Sequence, residues 1–177
     1  MNKNKEQRIS RFISLILRHK PEIISVTLER EGWCPVEKIL KKCKITIDEL
    51  TYIVNNDNKG RYSFNEDKTK IRANQGHSIE SVNLTFKELT PPNILYHGTA
   101  NKYLLSILNS GLEKRTRQYV HLSEDLETAS NVGKRHGTLV ILKINAKKMH
   151  NDGYKFYLSD NGVWLCDYVP VKYINVL

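Results

Sequence analysis

The residues of this chain that could do chemistry are basic, and they come in short clusters. Arg18-His19 stand together ahead of Pro21, and Arg61 opens RYSF. Arg72, Gln75, Gly76 and His77 follow one another closely, His97-Gly98-Thr99 end a short apolar run, and Arg117 precedes Val120-His121-Leu122-Ser123. Gly133-Lys134-Arg135-His136-Gly137 sits just before the apolar stretch LVILKI. A guanidinium fork meets two phosphate oxygens at once, so arginines with few acids beside them suit a bound phosphate group. The expected strand ends and the loops after them are common places for ligands. Arg18-His19 also has a plainer reading, as two bases that offset a helix dipole at its C-terminus. Lys38, Lys41, Lys42 and Lys44 read as solvated surface charge.

Other chemistries lack their residues. The six histidines share no ligand spacing, so no metal site is expected. There is no G-x-S-x-G elbow, no Walker A sequence and no G-x-G-x-x-G. Acids are too sparse around the histidines for a paired-carboxylate mechanism. Cys34, Cys43 and Cys166 are an odd number and widely spaced, which points to reduced thiols and a cytoplasmic protein. No signal-like segment follows the N-terminus and no apolar run is long enough to span a bilayer, so no membrane association is expected. Lysine and arginine outnumber acids 28 to 19, a net charge of +9, which favours nucleic acid or another polyanion as partner.

The elements that must hold these clusters follow from periodicity. Ile9, Phe12, Ile13, Ile16 and Leu17 recur at helical spacing, and Pro21 stops that helix near His19. A second helix starts near Pro35 with Val36, Ile39 and Leu40 inward, after a turn at REGW in which Trp33 plugs the core. A third runs from Thr46 to about Asn55, opened by a Thr46/Glu49 capping box. RYSF and KIRA form a hairpin. By pattern alone this half is either a winged-helix-like module or a generic small α+β domain. Pro91-Pro92 reads as a stiff linker and a boundary. Beyond it the spacing predicts strand ILYHGT and a helix with Leu104, Leu105, Ile107 and Leu108 inward and Gly111 as its C-cap. Strand YVHLS, a helix capped by Ser123, the central strand LVILKI, and strands KFYLS and VWLCDYV around a DNG turn complete it. The terminal YINVL is expected to tuck into a sheet.

With the clusters placed, the chain resembles the NAD-dependent RNA 2'-phosphotransferases. The matching text is LILRHKP at 15–21, GW at 32–33, GRYSF at 60–64, IRANQGHS at 71–78, LYHGT at 95–99, RQYVHLS at 117–123, VGKRHG at 132–137 and NGVWLCDYVPVKYI at 161–174. The ordered set covers nearly the whole chain.

The resemblance implies an α+β protein of two lobes: residues 1–90 a winged-helix-like RNA-binding lobe, and residues 93–177 an ADP-ribosyltransferase-like lobe for NAD. It implies a basic tetrad of Arg18, His19, Arg61 and Arg135, with the phosphate held between the lobes, and no metal. It further implies that His97, Thr99 and Ser123 line the nicotinamide side of NAD and that Gly98 brings backbone close to the ligand. The glutamate that many protein-modifying relatives use is missing from the linear pattern. Arg72 and His77 would serve RNA or local structure. The expected reaction moves the 2'-phosphate of a tRNA-like RNA onto NAD, giving 2'-hydroxyl RNA, nicotinamide and ADP-ribose 1'',2''-cyclic phosphate, by a monomeric enzyme. Two other readings stay open: a nucleic-acid-binding module without catalysis, and an ADP-ribosyltransferase acting on other phosphorylated ends or small molecules.

Overall fold

The computed structural model describes residues 2–177. It is a mixed α and β protein whose chain divides into two units, 1–85 and 86–177. The division falls ahead of Pro91-Pro92 because Lys87 and Glu88 already pair with Leu158 and Tyr157. Residues 86–90 therefore belong with the second half.

In the first unit, α1 (Lys3–Arg18), β1 (Cys34–Pro35), α2 (Val36–Cys43), α3 (Ile47–Asn55), β2 (Tyr62–Phe64) and β3 (Lys70–Ala73) follow in order. The helical stripe of α1 buries Ile9, Ile13, Ile16 and Leu17. Val36 and Ile39 of α2, Leu50 and Ile53 of α3, and Ile71 of β3 are likewise buried. Each such aliphatic side chain stabilises the fold by roughly 1.5–3 kcal/mol relative to exposure. The capping box forms: Glu49 N–H donates to Thr46 Oγ1 at 3.2 Å and Thr46 N–H to Glu49 Oε2 at 3.1 Å. The RYSF–KIRA hairpin gains a third strand that the pattern did not announce, β1, in the order β1-β3-β2, all antiparallel. Trp33 is only partly buried and lies under the Arg72 guanidinium, 4.7 Å from the ring centre, so it is a cation–π partner more than a core plug.

Tyr62 locks the hairpin to α1. Its hydroxyl donates to the Ser10 carbonyl at 2.6 Å and lies 2.6 Å from Ser14 Oγ. This bond sets β2, and Arg61 just before it, against the helix that ends in Arg18.

The second unit holds β4 (Lys87–Glu88), β5 (Leu95–Ala100), α4 (Asn101–Ser110), β6 (Leu112–Glu113), β7 (Val120–Leu122) and α5 (Leu126–Gly133). It continues with β8 (Leu139–Ile144), α6 (Ala146–Asn151), β9 (Tyr157–Leu158), β10 (Trp164–Cys166), β11 (Tyr168–Val169) and β12 (Ile174–Val176). Its sheets run β4-β9-β10-β7 and β12-β8-β5, with a short β11-β6 pair. LVILKI is central in its sheet, and YINVL does join that sheet through Ile174–Val176. The first two sheets meet where Tyr96 and Ser123 exchange backbone hydrogen bonds, both at 2.8 Å. Leu95, Leu122, Leu142, Ile144, Phe156 and Tyr173 are among the residues of the core.

Two local expectations change. The N-cap of α5 is Asp125, whose carboxylate accepts from Thr128 N–H at 2.6 Å, and not Ser123, whose backbone is engaged with Tyr96. In α4, Ile107 is buried, but Leu105 and Leu108 are 73% and 39% exposed. The stripe LLSIL is wider than the face that the sheet covers. Among the described residues, no helix is long and apolar enough to cross a membrane.

Candidate active site

Arg18 is the last residue of α1 and His19 its C-cap, so the helix end itself places the pair. The loop after β3 then turns beneath them. Gly76 has a φ of +88°, a left-handed conformation that glycine adopts without strain, and its α-carbon face lies against the Arg18 guanidinium: a Cβ there would be 3.6 Å from Arg18 Nε. Ser78 N–H donates to the Arg18 carbonyl at 2.9 Å, and Ser78 Oγ lies 2.9 Å from His19 Nδ1. Asn74 N–H, at the start of the same loop, donates to the Arg61 carbonyl at 2.9 Å. Residues 74–78 thus tie Arg61 to the Arg18-His19 corner.

Arg61 is also held from behind. The nearly buried Asp57 carboxylate pairs with the Arg61 guanidinium and accepts from the Arg61 backbone amide at 2.5 Å. Charge-assisted bonds of this kind restrict an arginine to one direction.

His77 sits inside this corner, 1% exposed. Neither of its ring nitrogens has a hydrogen-bond partner among the described residues. Burial, reinforced by the positive charges of Arg18, His19 and Arg72, pushes its pKa down to about 4. His77 is therefore a neutral wedge at physiological pH. It packs against Gly32, where an added Cβ would stand 3.0 Å from Nε2 at a φ of +77°. That contact gives the GW motif its reason.

In the second unit, one face of β5 runs Leu95, His97, Thr99, since side chains alternate along a strand. Leu95 is core, His97 is partly exposed, and Thr99 is 6% exposed. His97 Nδ1 lies 2.9 Å from the His121 carbonyl, so Nδ1 carries the proton and Nε2 is the acceptor. Burial lowers the His97 pKa and nearby Arg117 and His136 add to this, while the bond to His121 opposes it. Ser123 is fixed by its bridge to Tyr96, and its neighbour Glu124 accepts from Trp164 Nε1–H at 2.6 Å.

Gly98 faces the other way. A Cβ there would fall 1.7 Å from the Ala129 carbonyl oxygen in α5. The close seating of α5 on the strand requires glycine at this position. Arg135 is exposed in the turn after α5, where its backbone amide donates to the Val132 carbonyl at 3.2 Å.

Sequence reading singled out neither Ser78 nor Asp57. Ser78 closes the IRANQGHS motif, and Asp57 stands four residues ahead of Arg61, a spacing that could have drawn notice. Among the described residues, no group of three or more His, Cys, Asp or Glu could hold a metal ion.

The profile of the RNA 2'-phosphotransferase, Tpt1 / KptA family matches residues 4–168. The chain belongs to that family. A probable RNA 2'-phosphotransferase of Fusobacterium nucleatum is 56% identical over 174 residues, covering 95% of this chain and 97% of the relative. Its counterpart in Flavobacterium johnsoniae is 50% identical over 180 residues, 99% of this chain and 98% of that one. One from Trichormus variabilis is 46% identical over 182 residues and covers both chains completely. The protein is accordingly an enzyme of the phosphotransferase class.

Proposed function

We propose that this transferase removes the 2'-phosphate from RNA of the tRNA splice-junction type by passing it to NAD. The first unit acts as a winged-helix-like RNA-binding lobe and the second as an ADP-ribosyltransferase-like lobe. Arg18, His19, Arg61 and Arg135 act on the phosphate, while His97, Thr99 and Ser123 hold the nicotinamide side of NAD, with Gly98 setting the strand against its helix. The observation that carries this reading is the convergence of the 74–78 loop on Arg18, His19 and Arg61, in a chain that matches the family over 4–168.

The residues fit such a co-substrate. His97 presents an oriented Nε2, and Thr99 and Ser123 bring hydroxyls to neighbouring strand ends. NAD supplies an electrophilic ribose carbon and a nicotinamide leaving group.

In the first step a 2'-phosphate oxygen forms a bond to C1'' as the bond to nicotinamide breaks. Alignment is the main demand, because nicotinamide departs neutral. In the second step the 2''-hydroxyl oxygen bonds to phosphorus and gives up its proton, the RNA 2'-oxygen leaves and takes up one proton in exchange, and the phosphate closes onto the ribose as the 1'',2''-cyclic ester. Negative charge on the phosphoryl oxygens must be stabilised here, which is the work of guanidinium forks and an imidazolium. Arg18, His19 and Arg135 carry it, and Arg61 holds the substrate.

The test is a gel time course with 2'-phosphorylated RNA and NAD. Arg18→Ala and His19→Ala should each slow the second step by about 10²–10³ and let the 2'-phospho-ADP-ribosylated RNA accumulate. Arg18→Lys should restore activity only in part, since one ammonium does not replace a planar fork. Equal phosphate loss with and without NAD, or release of inorganic phosphate, would overturn the reading.

A further inference from the structure

We propose that Ser78 is a positioning residue for His19, fixing the imidazole so that its Nε2 side is presented to the substrate phosphate. This rests on the reading of His19 given above.

His19 needs such a support. It lies one residue beyond α1, with backbone angles of φ −135° and ψ −40° that no longer belong to the helix, and its side chain is exposed. An exposed imidazole on a helix cap samples several rotamers, and an oxyanion donor placed even 1 Å away from its position loses much of its effect. Ser78 reaches the Arg18-His19 pair twice. Its amide donates to the Arg18 carbonyl at 2.9 Å, one of the last carbonyls of α1. Its hydroxyl lies 2.9 Å from His19 Nδ1 and 3.5 Å from the same Arg18 carbonyl.

A hydroxyl has one hydrogen and two lone pairs. When His19 is an imidazolium both ring nitrogens carry protons, and the Nδ1 proton needs an acceptor. Ser78 Oγ accepts it, while the hydroxyl hydrogen turns to the Arg18 carbonyl. The ring is then held by Nδ1, which leaves Nε2–H directed away from Ser78, as a donor to a phosphoryl oxygen. The amide bond anchors Ser78 to the residue next to its target, so the Ser78 hydroxyl and the imidazole move together. Ser78 touches no reacting atom and acts entirely through His19.

Single-turnover time courses of Ser78→Ala, Ser78→Thr, Ser78→Cys, His19→Ala and Ser78→Ala/His19→Ala test this, alongside NMR of the His19 ring. Ser78→Ala should slow the second step about tenfold, the worth of one hydrogen bond to a charged group, with the first step within about twofold. Ser78→Cys keeps the size and the amide bond but is a poor acceptor, so it should behave like Ser78→Ala. Ser78→Thr keeps the hydroxyl and should retain at least about a third of the parental rate. The double variant should be no slower than His19→Ala alone, since the two residues act as one unit. The exchange-protected His19 Nδ1 proton should be visible in the parent and in Ser78→Thr, and absent from Ser78→Ala and Ser78→Cys. Equal impairment of Ser78→Thr and Ser78→Ala, an additive double variant, or a retained Nδ1 signal in Ser78→Cys would overturn the proposal. If His19→Ala itself leaves the second step at the parental rate, the reading of His19 fails instead, and the proposal with it.

Discussion

Gly98 in β5 and Gly133 at the end of α5 stand backbone to backbone. A Cβ on Gly133 would lie 3.0 Å from the Gly98 carbonyl carbon and 2.5 Å from Leu139 Cδ1, and one on Gly98 would meet both the Ala129 carbonyl and the Gly133 nitrogen, the latter at 2.9 Å. Two glycines let the helix sit directly on the strand that carries His97 and Thr99.

Gly98→Ala should therefore destabilise the enzyme by about 3 kcal/mol or more, because the clash is with backbone and cannot be relieved by a rotamer change. For a chain of this length that lowers the melting temperature by roughly 10 °C. Thermal unfolding followed by circular dichroism checks it. A parental melting temperature together with weakened NAD binding would show that the glycine serves the ligand after all.

Asp57→Asn should loosen Arg61 without unfolding the first unit. The amide oxygen can still accept from the Arg61 backbone, but the ion pair to the guanidinium is gone. With Arg61 as a substrate-holding group, KM for 2'-phosphorylated RNA should rise about tenfold, the effect of a lost charge-assisted bond, and kcat should change less. Steady-state kinetics across RNA concentrations separates the two. An unchanged KM would mean that Arg61 needs no brace.

Acid should weaken the fold through His77. Its folded pKa, about 4, lies below the value of about 6.5 it regains on unfolding. Between these two values the unfolded chain binds the proton and the folded chain does not, so stability is highest above about pH 6.5 and falls as pH drops toward 4. The full loss is on the order of 3 kcal/mol. His97, also lowered by burial, acts in the same sense. The lowered carboxylates Glu49, Asp67 and Asp125 lose their contribution only at more acid pH, as pH falls through their own depressed values. Urea unfolding at a series of pH values should show this slope in the parent, and His77→Gln should flatten it whatever its absolute stability. An unaltered slope in that variant would refute the assignment.

The cysteines should be inert in the native enzyme. Burial pushes the Cys34 thiol up to about 11 and the Cys166 thiol up to about 12, and raises Cys43 as well. Thiolate is the reactive form, so alkylation at pH 8 should leave Cys34 and Cys166 unmodified until denaturant is added. Mass spectrometry of peptides after iodoacetamide treatment reads this directly. Rapid native labelling of Cys166 would contradict its buried place in β10.

Local order in this protein is legible from the residues themselves. The α1 stripe of Ile9, Ile13, Ile16 and Leu17, the Thr46/Glu49 box and the RYSF–KIRA hairpin follow from spacing and capping, because each depends on neighbours within a few positions. The ordered motifs identified the family, and that resemblance picked Arg18, His19, Arg61 and Arg135 out of a wider inventory of basic residues. The two-residue strands β1, β4 and β6 were not legible, since so short a segment has no period to read. Nor was the exposure of Leu105 and Leu108, which the width of the covering sheet decides.

The sequence alone thus determined most of the longer helices and strands, where several of them stop, and which basic residues the chain has to offer a phosphate. Tertiary structure alone decided what those residues touch. Ser78 reaches His19 across 59 positions of chain, and Tyr62 reaches Ser10 across 52. Gly98 answers to a carbonyl in α5 that no local rule connects to it. Periodicity and capping are set by a few successive residues, whereas a contact between distant positions exists only once separate elements have packed. The direction of a side chain at a site is a property of that packing.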